Sequence, residues 1–373
     1  MAANYSNETI EIYWEFENAI SLFSIVFLSL TALGTVLLNG FALFSIYKDP
    51  LNCFRTTLST FMTGILVSNF LTGLIVEPVF AFLYGYWYIY DEDEVGYYMK
   101  LIRISQIISR VTINTSFMTV LMLALAQLIG LKWSSAYVKY FTPRLASIIL
   151  VGIWVYAIFF ALIPEIVHMD SRHSYENYFR VDLIMHTSMI TVSLVVIYIA
   201  TYFVFQKAIL RYEASLEAEQ GTSEQENHNT PKAEVEREFV KGTFIVIIVL
   251  IVTIWPVTIM LYIWSYQRQN ITDKVFIEEL IAFVVCEDFM FLKFLLDPLI
   301  FVWRLPKYRK ALGMVFRSLK MKCGCARASL PQAEYHQANA SDADMHFADE
   351  EFMVETDSIT NPALEFETDS VNA

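Results

Sequence analysis

Charge is scarce in this chain, and its scarcity sets the class of protein. Only 17% of residues are Asp, Glu, Lys or Arg, against about a quarter in soluble globular proteins. Cysteine is scarcer still, with Cys53, Cys286, Cys323 and Cys325 the full complement. None falls in a predicted outer loop, which excludes an extracellular disulfide framework. No basic n-region precedes the first apolar stretch: residues 1–19 are polar and acidic. A cleaved signal peptide is therefore not expected, and the first hydrophobic segment is read as an uncleaved anchor. No grouping of residues suits hydrolysis, phosphoryl transfer or metal catalysis, so neither enzymatic activity nor a cofactor is expected. The net charge of −13 gives no reason to expect nucleic acid.

What the chain has in excess is apolar surface. Hydrophobic residues make up 56%, with 29 Phe and 21 Tyr, and the mean hydropathy is +0.45. A bilayer is crossed by roughly 20 apolar residues in a helix. Stretches of that kind lie at about 20–47, 56–84, 98–130, 145–168, 182–207, 240–265 and 275–303. The expected fold is all-α: a seven-transmembrane helix bundle over 20–303, after an extracellular segment at 1–19. The sixth stretch is the cleanest, without a charge from Phe244 to Trp264. The seventh is the most charged, carrying Glu278, Glu279, Glu287, Asp288, Lys293 and Asp297. A polar loop at 212–236 separates the fifth and sixth, and its ends are able to extend both helices.

Lys and Arg bias sets the orientation. With the N-terminus outside, the inner face holds Lys48, Arg55, Lys132, Lys139, Arg144, the basic residues around 207–241 and those from Arg304 to Arg327. The outer face keeps only Lys100, Arg103, Arg172, Arg180, Arg268 and Lys274. The N-terminus is thus placed outside and the C-terminus inside a plasma membrane. Glycosylation sequons at Asn4 and Asn7 agree with this. Asn270 heads a third sequon in a short outer loop, whereas Asn114-Thr115-Ser116 lies within the third span and matches by chance.

After the seventh span, 304–322 reads as an amphipathic membrane-surface helix, with Tyr308, Leu312, Val315, Phe316 and Leu319 on its lipid-contacting face. Cys323 and Cys325 at its end are either palmitoylation sites or inert thiols. The remainder, 323–373, lacks basic residues after Arg327, repeats ETDS at 355–358 and 367–370, and has the composition of a disordered tail. Phosphates there would each add about −1.5 to −2 charges, suiting an arrestin-like partner; a merely solvated acidic tail is the alternative.

One mark per helix gives the bundle a likeness. Asn39 stands in LLNG, Asn69 and Pro78 in VSNFLTGLIVEP, Trp154 and Pro164 in the fourth span. Tyr202 lies in YFVFQKAI, Trp255 beside Pro256, and Asp297 opens DPLIF. In that order they resemble a rhodopsin-like (class A) G-protein-coupled receptor over about 20–320, nearest the melanocortin, cannabinoid and adenosine group. The resemblance implies an extracellular ligand and a heterotrimeric G protein as partners, with signalling by movement of helices six and seven.

Several marks are missing. Where the family has a DRY motif the chain reads Ala126-Gln127-Leu128, so the arginine that meets G protein is absent. Glu236, near the inner end of helix six, would face Gln127 instead. The helix-three cysteine and its loop partner are absent, helix five lacks its proline (Leu194 stands near that place), and Phe301 replaces the motif tyrosine. The lysine that carries retinal in opsins corresponds to Phe291. Lys293 lies about 200° further around the helix, which argues against light sensing.

Charges at bilayer depth usually face the bundle interior. Arg110 and Glu287 border the position of the family's ligand pocket, and read either as anchors for a charged or zwitterionic ligand or as an ion pair between helices three and seven. Ser109, where amine receptors carry aspartate, argues against conventional monoamine recognition. Glu77 either faces the cavity or satisfies backbone at the Pro78 kink. Acids at Glu8, Glu11, Glu15, Glu17 and 91–94 make an outer rim that either attracts cations or is simply solvated. Trp255 and Pro256 are read as a helix-six hinge. The family commonly binds sodium at mid-bundle, where this chain has Asn69, Ser116, Lys293 and Asp297. Lys293 and Asp297 share a helix face, so a tethered ammonium is expected in place of the sodium ion; the alternative turns Lys293 toward another acceptor. Two other functions stay open: a receptor-like scaffold, decoy or arrestin-biased partner that no longer couples to G protein, and a transporter, disfavoured by the odd number of spans and the absence of visible repeat pairing.

Overall fold

The computed structural model describes residues 7–89, 95–169, 172–220, 231–266, 273–304 and 306–322. Every described element is helical. The first span is α1 (Asn7–Lys48). The second is α2 (Thr57–Leu71), which passes through a π-helical turn (Thr72–Val76) into α3 (Glu77–Ile89). The third is α4 (Val95–Lys132). A short helix, α5 (Ser134–Tyr140), leads to the fourth span, α6 (Pro143–Ile166). The fifth is α7 (Arg172–Asp182), joined by a second π turn (Leu183–Ser188) to α8 (Met189–Gln220). The sixth is α9 (Pro231–Tyr266), the seventh α10 (Asp273–Arg304), and α11 (Pro306–Lys322) follows. Five of these spans are long and apolar enough to cross a membrane on those grounds alone, and the described residues of α9 add the apolar run Ile251–Tyr266.

Polarity is arranged inside out. Exposed apolar side chains run at helical spacing along Ile148, Val151, Val155 and Phe159 of α6, and along Val192, Val196, Ile199 and Phe203 of the fifth span. The buried set includes Ser24, Thr35, Asn39, Asn69, Asp288, Lys293 and Asp297. An apolar surface around a polar axis is stable where the solvent is hydrocarbon. The third span is central, packing on the second, fourth and fifth, while α1 packs on the second and seventh.

Prolines and small residues explain the local detail. Pro298 has no N–H, so the Phe294 carbonyl four residues earlier loses its helical donor. The Asn39 amide supplies one at 2.9 Å, and donates also to the Thr35 carbonyl at 2.8 Å. The first π turn ends just before Pro78, with the Glu77 N–H reaching back to the Thr72 carbonyl. A Cβ at Gly73 in this turn would sit 2.7 Å from the Thr35 methyl and 2.8 Å from its Cβ. Glycine there permits the close approach of the first two spans. In the second π turn the Ser188 hydroxyl donates to the Leu183 carbonyl at 3.1 Å.

Four features differ from the sequence reading. The fifth span begins at Arg172 instead of 182, because RHSYENYFRVD is amphipathic and packs Tyr178 inward. α5 was not foreseen; its polar residues hid about two turns of helix that stack Tyr137 on Phe141 at 5.4 Å. α11 docks on the bundle through Tyr308, Ala311, Leu312 and Val315, leaving Phe316 exposed though edge-on to Phe41. The polar loop is shorter than 212–236, as α8 continues to Gln220 and α9 starts at Pro231.

Candidate functional site

A cavity of about 430 Å³ opens among the second, third, fifth, sixth and seventh spans, toward the end of the bundle where α1 begins. That volume lies in the range of small-molecule sites. Its wall is mostly apolar, and Arg110, Asp182 and Glu287 bring charge to it, with Ser109 alongside.

Arg110 and Glu287 both line the cavity, but they do not pair with each other. The Arg110 Nε lies 3.9 Å from an Asp182 oxygen. Its guanidinium also donates to the Tyr175 hydroxyl and sits over the Tyr175 and Tyr178 rings at 5.4 and 5.3 Å. The early start of the fifth span is the reason: it carries Tyr175, Tyr178 and Asp182 against α4, nearer to Arg110 than Glu287 is. Asp182 in turn accepts from Asn114 at 3.2 Å and from His186 Nδ1 at 2.8 Å, one helical turn on. The other ring nitrogen of His186 is 2.9 Å from the Tyr156 hydroxyl. This network was not legible in the sequence, where Asp182 marked only a span boundary and Asn114 only a chance sequon. The Asp182–His186 spacing of four was its sole signal.

On the opposite wall Glu287 accepts, among the described residues, only a long 3.4 Å contact from the Tyr84 hydroxyl. Its neighbour Asp288 turns away toward α1, accepting from Ser24 at 2.6 Å. Glu77 belongs to neither alternative raised above. It is fully buried outside the cavity, with the Thr35 side chain beside it but no hydrogen bond of normal geometry to either carboxyl oxygen among the described residues. Trp255 also departs from its expected place. It is 43% exposed, in line with Ile248, Val252 and Ile259 on the lipid face. Standing next to Pro256 rather than two residues before it rotates the ring outward. Val257, Leu261 and Trp264 face the cavity instead, and Trp264 stacks on Phe283 at 5.5 Å.

A second polar centre lies at mid-bundle. The Lys293 ammonium donates to Asp297 at 2.7 Å and to Ser116 at 3.0 Å. Asn69 donates to the same Asp297 oxygen at 2.9 Å and accepts from Ser116 at 2.9 Å. Lys293 and Asp297 are 2% and 8% exposed, and the ammonium also approaches the Phe117 and Phe294 rings at 5.3 and 4.9 Å. These four residues are brought together by those bonds, with Asn39 nearby closing the Pro298 gap. Lys293 does not line the cavity, and Phe291, at the retinal-lysine position, is a buried packing residue.

At the other end of the bundle, Gln127 has a buried side-chain oxygen with no hydrogen-bond partner among the described residues. Tyr202 is half-buried, edge-on to Phe203 at 5.8 Å. The backbone of Glu236 is helical within α9, but its side chain lies outside the described residues, as does that of Asn7; Asn4, Cys323 and Cys325 lie outside altogether. Burial raises the Tyr308 phenol above its ordinary range, although its bond with Ser59 pulls the other way.

A family model, the 7 transmembrane receptor (rhodopsin family), matches residues 38–301. No curated protein matches the chain significantly. The matched stretch runs from the residue before Asn39 to Phe301 and spans most of the bundle. Seven helices, an inverted polarity pattern and this match make the chain a multi-pass plasma-membrane protein of a non-enzymatic kind. It belongs to the rhodopsin family of seven-transmembrane receptors.

Proposed function

We propose that the chain is a cell-surface receptor whose extracellular ligand occupies the cavity beside Arg110, Asp182 and Glu287. Ligand binding biases helices six and seven, and the signal passes inward by a shift in their population. The observation that carries this reading is the geometry of the cavity wall: Val257, Leu261 and Trp264 of α9 and Glu287 of α10 meet in one small volume. A ligand filling it touches both helices at once. On this reading the N-terminus is extracellular, Asn4 and Asn7 carry glycans, Cys323 and Cys325 carry lipid, and the acidic tail meets an arrestin-like partner.

G-protein coupling is weak in this receptor. The inner end presents Gln127 where an arginine would meet the G protein, and a neutral amide makes weaker bonds than a charged group. This observation also favours the second reading, a receptor-like protein that acts without G protein. Nucleotide exchange on added G protein, measured across G-protein classes, tests coupling. Low exchange by the parent, increased several-fold by Gln127→Arg, is expected. Robust exchange by the parent, unchanged or lowered by the arginine, overturns the weak-coupling reading.

A further inference from the structure

We infer that the ligand is an organic cation, a protonated amine with an apolar or aromatic body, and that Glu287 is its counter-ion. The inference rests on the receptor reading above and adds to it the charge of the ligand and the residue that reads it.

The charges on the cavity wall are unequally matched. The Arg110 guanidinium has the Asp182 carboxylate at 3.9 Å, the Tyr175 hydroxyl and two aromatic faces. Its charge is answered within the protein, so an anionic ligand would have to displace Asp182. Glu287 has no cation among the described residues, and only the 3.4 Å Tyr84 hydroxyl. An ionised carboxylate in an apolar wall is costly until a counter-ion arrives.

The surroundings choose the kind of cation. Metal ions such as calcium need six or more oxygen ligands, and no group of acids or histidines able to hold a metal occurs among the described residues. The wall next to Glu287 offers aromatic and aliphatic surface instead. Phe283, one helical turn before Glu287, stacks on Trp264, and Phe80, Phe117 and Met290 lie on the same cavity wall. Such faces favour an organic cation both through their π-systems and through apolar burial. Across the cavity the Ser105 hydroxyl is buried with no hydrogen-bond partner among the described residues, an open position for a polar group on the ligand. An amine is thus met from helix seven, which agrees with Ser109 standing where helix three would otherwise supply the acid.

The test uses matched probes on the purified full-length receptor: N-benzyl-2-phenylethylamine, its neutral counterpart N-benzyl-2-phenylacetamide, and 3-phenylpropanoate. Affinities come from the concentration dependence of the thermal midpoint. The amine is expected to bind at least about 30-fold more tightly than the amide, with the carboxylate weakest. Glu287→Gln is expected to weaken the amine about 100-fold and to leave the amide unchanged, while Glu287→Asp keeps most of the preference for the amine. Asp182→Asn, which frees Arg110, is expected to improve carboxylate binding. The inference is overturned if the amine gives no stabilisation at any soluble concentration, if amide or carboxylate binds as well as the amine, or if Glu287→Gln leaves the amine unaffected. Glu287-dependent amine binding that alters neither nucleotide exchange nor arrestin recruitment would overturn the receptor reading while leaving the charge assignment standing.

Discussion

Lys293 and Asp297 hold opposite charges 2.7 Å apart in the middle of the bundle. Two buried charges of this kind are stable as a pair and very costly apart. Asp297→Asn strands an ammonium whose remaining partners are a hydroxyl and two rings, so a loss of about 3–5 kcal/mol is expected. The double variant Lys293→Asn with Asp297→Asn removes both charges and is expected to cost less than Asp297→Asn alone. Thermal unfolding of the four proteins in the cycle measures this, and additive effects would reject a tethered cation. The same pair predicts that stability and ligand affinity do not change when sodium replaces potassium, because the Lys293 ammonium already sits 2.7 Å from Asp297. Glu77 is the contrasting residue. A buried polar group short of partners costs about 1–3 kcal/mol, and Glu77 has only the Thr35 side chain beside it, so Glu77→Met is expected to raise the unfolding midpoint; a lower midpoint would show that the carboxyl and Thr35 hold something in place.

The helices carry out-of-register positions that only their neighbours make stable. Pro298 removes one backbone donor from α10, and Asn39 of α1 replaces it. Asn39→Ala therefore leaves the Phe294 carbonyl orphaned and is expected to cost about 1–3 kcal/mol. In a Pro298→Ala background the helix recovers its own N–H, and the same Asn39→Ala change is expected to cost much less. Equal costs in the two backgrounds, read by thermal unfolding, would show that the two residues are not coupled in this way. The pairing was half visible in the sequence: both residues stood out, but their separation of 255 positions left no local pattern to join them.

At the scale of the whole molecule, no disulfide among the described residues holds the end of the bundle around the cavity. Neither Cys53 nor Cys286, the described cysteines, is in a disulfide. The ties are polar instead: Arg103 to Glu165 at 3.1 Å, the Tyr178 hydroxyl to the Phe160 carbonyl at 2.9 Å, and Arg180 to the Ser265 carbonyl at 2.8 Å. They join the third span to the fourth, and the fifth span to the fourth and the sixth. The expected consequence is that a thiol reductant leaves both the unfolding midpoint and ligand binding unchanged. A reductant-dependent fall in either would contradict it.

Composition and periodicity alone determined that seven apolar helices cross a membrane, because lipid imposes a length and a polarity on each span independently of the others. The mid-bundle group was legible for a similar reason: Lys293 and Asp297 are one turn apart on a single helix, and a buried charge constrains its nearest neighbour strongly. The arrangement of the cavity was decided only by tertiary packing. Whether Arg110 met Glu287 or Asp182 depended on where the fifth span began and how its first turns leaned on the third. That choice set a residual charge on the cavity wall which no single stretch of sequence contains. Trp255 makes the same point on one helix: a shift of one position beside Pro256 turned its ring from the interior to the lipid, and only the packing of α9 against α10 fixed which side was which.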